Sequence, residues 1–112
     1  MRQSGILAAA CLYALDNHLE QLHNDHRNAR MLAELLTKSS RVAMNLATVQ
    51  TNIVIFDLID GPDAPALVTR CERVGVRFFD FGPRTVRLVT HRDISTADCE
   101  QAAKQILASL AP

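Results

Sequence analysis

The stretch Thr85-Val86-Arg87-Leu88-Val89-Thr90-His91 alternates in the way that a β-strand does, and the rest of the fold is built outward from it. Alternation places Arg87 on the face opposite Val86 and Leu88. A guanidinium among apolar strand residues needs an anionic partner once it leaves water, and its planar fork fits a carboxylate. Arg87 is therefore predicted to clamp a carboxylate, either of an internal Asp or Glu or of a substrate. The alternative is an arginine that extends from an edge strand into water.

The segments around this strand predict a small, mostly antiparallel sheet. Gly82-Pro83-Arg84 is a tight turn, so residues 76–81 form the preceding strand of the same hairpin. Ile53 to Leu58 is short and rich in β-branched residues, which is typical of a further strand. Arg41 to Val49 is a candidate extended segment.

Two helices are predicted to cover this sheet. Asp63 caps a helix from Ala64 to Val74, which Gly75 ends. Ser95 caps the last helix, and Asp98 stands in the capping-box relation to it. The buried stripe of the last helix has helical spacing and consists of Cys99, Ala102, Ala103, Ile106, Leu107 and Leu110.

Residues from Ser4 to about Lys38 predict one long helix, because leucine and alanine recur at spacings of three and four. A continuous helix would span about 50 Å at 1.5 Å per residue, so a bend near Asn24-Asp25 is expected. Ile6 to Leu15 is apolar on every side, and another body must cover it. We therefore expect the chain to be the tail of a longer one, with Met1 an internal methionine.

The predicted fold class is α+β, with a long N-terminal helix followed by a small, mostly antiparallel sheet covered by helices. Residues 1–38 are predicted to link this domain to a missing large domain or to a partner subunit. Residues 39–112 are predicted to form the small domain itself.

Composition and charge argue against several classes of partner. Twelve basic and twelve acidic residues cancel, so no net charge steers the chain to nucleic acid or to a membrane. Three widely spaced cysteines fit no disulfide framework, and a cytoplasmic location is predicted. An exported lipoprotein acylated at Cys11 is disfavoured, because the apolar helical stripe continues past the would-be cleavage site.

Two pairs of side chains, each containing histidine, are candidate sites. His23 and His26 have the spacing of a metal pair on a helix, but a solvated polar face is favoured and no metal site is predicted. His91 and Asp93 follow the Arg87 strand and could supply an acid or base, although packing within the loop is favoured.

Three segments resemble one enzyme family. They are residues 1–10 (Met-Arg-Gln-Ser-Gly-Ile-Leu-Ala-Ala-Ala), residues 48–52 (Thr-Val-Gln-Thr-Asn) and residues 86–93 (Val-Arg-Leu-Val-Thr-His-Arg-Asp). Together, in this order, they resemble the C-terminal part of L-threonine aldolases, which are pyridoxal-phosphate enzymes of the aspartate-aminotransferase fold (fold type I). The resemblance implies a homo-oligomeric enzyme that cleaves L-threonine or L-allo-threonine to glycine and acetaldehyde.

The resemblance also implies two residue roles. Arg87 matches the family arginine that binds the substrate carboxylate, and Arg2 matches an arginine at the cofactor phosphate, reaching the neighbouring subunit's site. The family's cofactor-binding lysine lies upstream, and neither Lys38 nor Lys104 suits that role. No catalytic residue is therefore assigned, and the chain alone is expected to be inactive. Two alternatives stay open: another pyridoxal-phosphate lyase of this fold, and a stand-alone amino-acid-binding or regulatory module.

Overall fold

The computed structural model describes residues 1–111, which fold into helices around one sheet. In chain order the elements are α1 (Ser4–His18), α2 (Leu22–Leu36), β1 (Val42–Ala43), β2 (Ile53–Leu58), α3 (Ala64–Glu72), β3 (Phe79–Asp80), β4 (Thr85–Val89) and α4 (Thr96–Ser109). Short 3-10 turns occupy Leu19–Gln21 and Leu46–Thr48. The predicted α+β class is confirmed.

The sheet has four strands in the order β1-β2-β4-β3, and every neighbouring pair is antiparallel. The predicted β2 is observed over its full length. β4 ends at Val89, one residue before its predicted end at Thr90. Because β4 lies between β2 and β3, Arg87 is on an interior strand. The alternative of an arginine extending from an edge strand is therefore wrong.

The two faces of this sheet differ completely in burial. The inner face is covered by α2, α3 and α4, and its side chains belong to the hydrophobic core: Val54, Phe56, Leu58, Val86 and Leu88. The outer face carries no helix from the described residues. It consists of Ile53, Ile55, Asp57, Phe79, Phe81, Thr85, Arg87 and Val89.

The N-terminal helix is not continuous, and its break lies earlier than the bend predicted near Asn24-Asp25. α1 ends at His18, whose backbone leaves the helical region at φ −127° before the 3-10 turn. The His18 ring packs edge-on against Tyr13, and its Nε2 accepts a hydrogen bond from Arg92 in the loop before α4. This long-range contact explains the position of the break.

None of the α1 residues is buried, which confirms the uncovered apolar surface predicted for Ile6 to Leu15. α1 gives the chain an elongated outline of 51 × 27 × 25 Å. α2, in contrast, contributes Ala29, Leu32 and Leu36 to the core. Within residues 1–111, no helix is both long and apolar enough to cross a bilayer.

Two of the predicted strands are much shorter in the structure. After β1, Asn45 accepts a hydrogen bond from the Ala47 amide and starts a 3-10 turn, so the extended segment stops. Before β3, the Val76 amide donates to the Cys71 carbonyl at 2.9 Å and stays with the end of α3. In both places a local hydrogen bond replaces pairing in the sheet.

The predicted helix caps are confirmed. The Asp63 side chain accepts from the Ala66 amide at 2.8 Å, and Ser95 and Asp98 form a complete capping box at the start of α4. Gly75 has φ +84° just beyond α3, which ends at Glu72, two residues before the predicted end. The predicted α4 stripe faces the core. Its buried members are Cys99, Ala103, Ile106 and Leu110.

Candidate functional site

Arg87 lies at the centre of the outer face and is partly buried. In the strand register it stands opposite Ile55 on β2 and Phe79 on β3. Antiparallel partners project to the same side of a sheet, so the aliphatic stem of Arg87 runs between two apolar neighbours. The stem is therefore flanked by neighbouring strands on both sides.

The Nε of Arg87 is buried and has no hydrogen-bond partner. Among residues 1–111, no Asp or Glu forms an ion pair with Arg87, so the predicted internal carboxylate is not found there. A buried donor without an acceptor costs roughly 1–3 kcal/mol, and more when it is charged. Any acceptor for this donor would come from outside the described residues.

Other arginines of the domain already bind backbone carbonyls. Arg41 donates to Leu110 at 2.6 Å, and Arg84 donates through Nε to Leu58 at 2.8 Å. Arg84 also has a buried Nη2 without a partner, but its Nε is satisfied. The buried Nε without a partner thus distinguishes Arg87 from Arg41 and Arg84.

Asp57 is an acidic residue that shares the outer face with Arg87. It stands opposite Thr85 in the register, and the Thr85 hydroxyl donates to its Oδ1 at 2.6 Å. Asp57 is thus engaged with Thr85, and it forms no ion pair with Arg87. The site can therefore accept a carboxylate from a ligand.

Phe81 was not predicted as a site residue, yet its ring lies 5.9 Å from Cζ of Arg87. A cation over an aromatic face at this distance is attracted by the ring quadrupole. The available signal in the sequence was the alternation of Phe79 and Phe81 in the strand next to Arg87, which places both aromatic rings on the face of the arginine.

His91 and Asp93 contact each other at the rim beyond β4. The Asp93 amide donates to Nδ1 of His91 at 3.3 Å, and the Asp93 carboxylate lies 3.9 Å from the same nitrogen. Both side chains are exposed. This arrangement agrees with the packing role that was favoured from the sequence.

The two family-like segments 48–52 and 86–93 meet where β2 and β4 adjoin. The Asn52 side chain donates to the Thr90 carbonyl at 2.7 Å, and the Thr90 amide donates to the Asn52 carbonyl at 2.9 Å. The Thr90 hydroxyl also donates to the Asp25 carbonyl in α2 at 2.7 Å. These bonds hold the strand that carries Arg87 against the helical layer.

Arg2 is exposed immediately before α1, in a region that the structure does not bring near Arg87. Gln3 has φ +56° and makes no side-chain cap, and the first turn of α1 holds no acidic residue. From Arg2 to His18 the helix rises roughly 24 Å. A cation beside an uncapped helix start suits a phosphate, but it cannot share one site with Arg87 in the same chain.

The remaining candidate groups are dispersed. His23 and His26 are exposed on α2, and residues 1–111 contain no cluster of three metal-ligating side chains. Lys38 and Lys104 are exposed as well. No lysine within the described part of the chain is placed to bind a cofactor beside Arg87.

The two buried cysteines behave as core residues. Burial raises the pKa of the Cys71 thiol. Burial also raises the pKa of Cys99, with smaller contributions from the charges of Asp98 and Asp25. A raised pKa keeps a thiol protonated and a weak nucleophile. Neither cysteine is therefore a candidate for catalysis.

Comparison with known families places this α+β chain among enzymes. The sequence profile of the beta-eliminating lyase family matches residues 1–59, which is more than half of the chain. The chain therefore belongs to the beta-eliminating lyase family.

Curated relatives give a narrower likeness. The chain is 39% identical over 102 residues to a probable low-specificity L-threonine aldolase 2 of Arabidopsis thaliana, with 89% of this chain and 29% of that protein covered. It is 38% identical over 111 residues to the low specificity L-threonine aldolase of Escherichia coli K12, with 99% of this chain and 32% of that protein covered. The chain thus spans about three tenths of the length of these relatives.

Proposed function

We propose that these residues form the small C-terminal domain of a fold type I, pyridoxal-phosphate-dependent threonine aldolase, in which Arg87 binds the substrate carboxylate. Membership of the beta-eliminating lyase family and likeness to low-specificity L-threonine aldolases support the reaction class. The single observation that carries the residue role is the buried, unpartnered Nε of Arg87 on an interior strand. The substrates are L-threonine and L-allo-threonine, cleaved to glycine and acetaldehyde.

Arg87 contributes orientation to this reaction. A guanidinium fork that holds both carboxylate oxygens restricts rotation about the N–Cα bond of the amino acid. That rotation determines which bond of Cα is aligned for cleavage. When bound, pyridoxal phosphate supplies the electron sink that makes Cα–Cβ cleavage possible.

The described residues suit the phosphate group of this cofactor, but they do not supply the lysine that binds it. Arg2 and the uncapped start of α1 suit its phosphate group, whereas Lys38 and Lys104 are exposed. We propose that Arg2 binds the phosphate in the site of a neighbouring subunit. The cofactor-binding lysine then comes from polypeptide outside these residues.

The exposed apolar surface of α1 supports assembly. Ile6 is 74% exposed, and apolar side chains of this size are rarely left in water over a whole helix. We propose that residues 1–38 connect the small domain, residues 39–112, to the cofactor-binding part of the enzyme, and that the enzyme is a homo-oligomer. A cytoplasmic location is part of the same proposal.

Substitution of Arg87 by lysine tests the function in the enzyme that carries this chain together with its cofactor-binding polypeptide. A point charge cannot reproduce the bidentate fork, so KM for L-threonine is expected to rise by about 10- to 100-fold. The absorbance of bound cofactor should stay near normal. The matched control is Arg77→Lys, since Arg77 is exposed and pairs only with Glu72. Unchanged kinetics in Arg87→Lys would remove Arg87 from the site.

Substitution of Arg2 by alanine tests the phosphate role separately. We expect weaker retention of pyridoxal phosphate, measured by equilibrium dialysis, because one cation at the phosphate is lost. Equal cofactor affinity in the variant and the wild type would refute this role.

A stand-alone amino-acid-binding module is the second candidate, and the comparisons do not favour it. It would require the 112 residues alone to bind L-threonine. Calorimetric titration of the isolated chain with L-threonine distinguishes the two candidates, because the aldolase proposal expects no heat of binding.

A further inference from the structure

The aromatic ring of Phe81 next to Arg87 suggests how the guanidinium is held in one orientation. The ring of Phe81 lies 5.9 Å from the guanidinium carbon, although the side chain itself is 64% exposed. Resting on the proposed function, we propose that Phe81 is a positioning residue that holds the Arg87 guanidinium in the orientation that binds the substrate carboxylate.

The backbone around Phe81 supports a fixed ring position. The Phe81 amide donates to the Thr85 carbonyl at 2.8 Å and closes the hairpin between β3 and β4. The turn is tied to the rest of the domain, because Arg84 Nε donates to the Leu58 carbonyl at 2.8 Å and the Ala64 amide donates to the Pro83 carbonyl at 2.9 Å. Phe81 is therefore held by the hairpin rather than by a flexible loop.

An aromatic ring can hold an arginine without consuming its hydrogen-bond donors. A carboxylate partner would occupy the in-plane edge that a ligand needs, whereas a ring attracts the face of the guanidinium. The Nε of Arg87 stays unpartnered in this arrangement. Phe81 can thus restrict the rotation of the guanidinium while leaving the carboxylate-binding edge vacant.

The neighbouring carboxylate is kept away by a second contact. Asp57 shares the outer face with Arg87, but Thr85 holds its Oδ1 at 2.6 Å. With Asp57 engaged, the ring of Phe81 is the group observed within interaction distance of the guanidinium. These observations favour Phe81 over Asp57 as the group that positions Arg87.

The test uses the cofactor-loaded enzyme that carries this chain, with the variants Phe81→Leu and Phe81→Tyr. The control is Phe79→Leu, a phenylalanine of the same hairpin that is 70% exposed and has no ring contact of this kind with the guanidinium. The probes are L-threonine as substrate, glycine as a carboxylate-bearing inhibitor, and ethanolamine as an amine without a carboxylate.

Phe81→Leu is expected to raise KM for L-threonine and the inhibition constant of glycine by about 3- to 10-fold, within the range of a cation–π contact. kcat and the cofactor absorbance should change by less than about twofold, because the reacting bond is not touched. Ethanolamine binding should not change. Phe81→Tyr, which keeps the aromatic face, should restore wild-type values, and Phe79→Leu should have a smaller effect than Phe81→Leu.

Three outcomes would overturn the role of Phe81: unchanged KM in Phe81→Leu, equal weakening of glycine and ethanolamine, or equal effects at Phe81 and Phe79. These outcomes are separable from failure of the proposed function. If Arg87→Lys raises KM and Phe81→Leu does not, Arg87 remains the clamp and only the positioning role fails. If Arg87→Lys also leaves KM unchanged, the proposed function fails.

Discussion

The inner and outer faces of the same small sheet have similar apolar content and opposite environments. Phe56 on the inner face is 1% exposed, while its chain neighbour Ile55 on the outer face is 44% exposed. The inner face holds the domain together, and the outer face carries Arg87, whose buried Nε has no hydrogen-bond partner. Hydrophobicity alone therefore does not identify the core of this chain, because half of the apolar strand side chains lie on the outer face, outside the core.

Alanine substitutions on the two faces of β2 should differ most. Phe56→Ala is expected to lower the free energy of unfolding by about 3–5 kcal/mol, because it leaves a cavity in the core. Ile55→Ala is expected to cost less than about 1 kcal/mol, because the side chain is already in contact with water. Urea unfolding of the 112-residue chain measures both. Similar costs at the two positions would show that the outer face is also packed in solution.

A matched pair of threonines extends the comparison to hydrogen bonds at the two ends of β4: Thr85 begins this strand and Thr90 directly follows it. Thr90→Val is expected to cost about 1–2 kcal/mol, because the buried hydroxyl donates to the Asp25 carbonyl in α2. Thr85→Val should cost about 0.5 kcal/mol or less, because its bond to Asp57 lies at an exposed position. The same urea titration applies. A larger cost at Thr85 would contradict the assignment of the two faces.

The stability contributed by the capping box of α4, one of the helices that cover the inner face, should depend on pH. Hydrogen bonds from the Ser95 side chain and backbone lower the pKa of Asp98 below its usual 3.8. A lowered pKa in the folded state stabilises the protein above the unfolded pKa, and this contribution is lost as the pH falls through the folded pKa. Asp98→Asn should therefore be less stable than the wild type at pH 6, with the difference shrinking below about pH 4.

Thermal unfolding followed by circular dichroism at a series of pH values measures this difference. Asp16→Asn is the control, since Asp16 is exposed on α1. A stability difference between wild type and Asp98→Asn that is constant from pH 6 to pH 3 would contradict the role of the capping box.

The smallest effect on stability is expected in α1. Leu12→Gln should change the free energy of unfolding by less than about 0.5 kcal/mol, because no residue of α1 is buried within the chain. The substitution should instead reduce self-association of the isolated chain, measured by sedimentation velocity. Leu32→Ala in α2 is the control and should cost about 2–5 kcal/mol, because Leu32 is part of the core.

Features set by local chemistry could be predicted from the sequence. The alternation around Arg87, the strand Ile53–Leu58 and the caps at Asp63 and Ser95 depend on residues close together in the chain. The break at His18 could not be predicted, because it depends on Arg92, which lies 74 residues away. The contact of Phe81 with Arg87 likewise depends on the strand register. β3 is short because the Val76 amide donates a hydrogen bond to the Cys71 carbonyl in α3.

A crystal structure of the enzyme that carries this chain, with glycine or L-threonine bound, would measure the distances between the guanidinium nitrogens of Arg87 and the nearest carboxylate oxygens. We expect two parallel bonds of about 2.7–2.9 Å from the guanidinium to the two oxygens of the ligand carboxylate. A protein carboxylate bound to this guanidinium, or a ligand carboxylate bound elsewhere, would contradict the assignment of Arg87 as the substrate clamp.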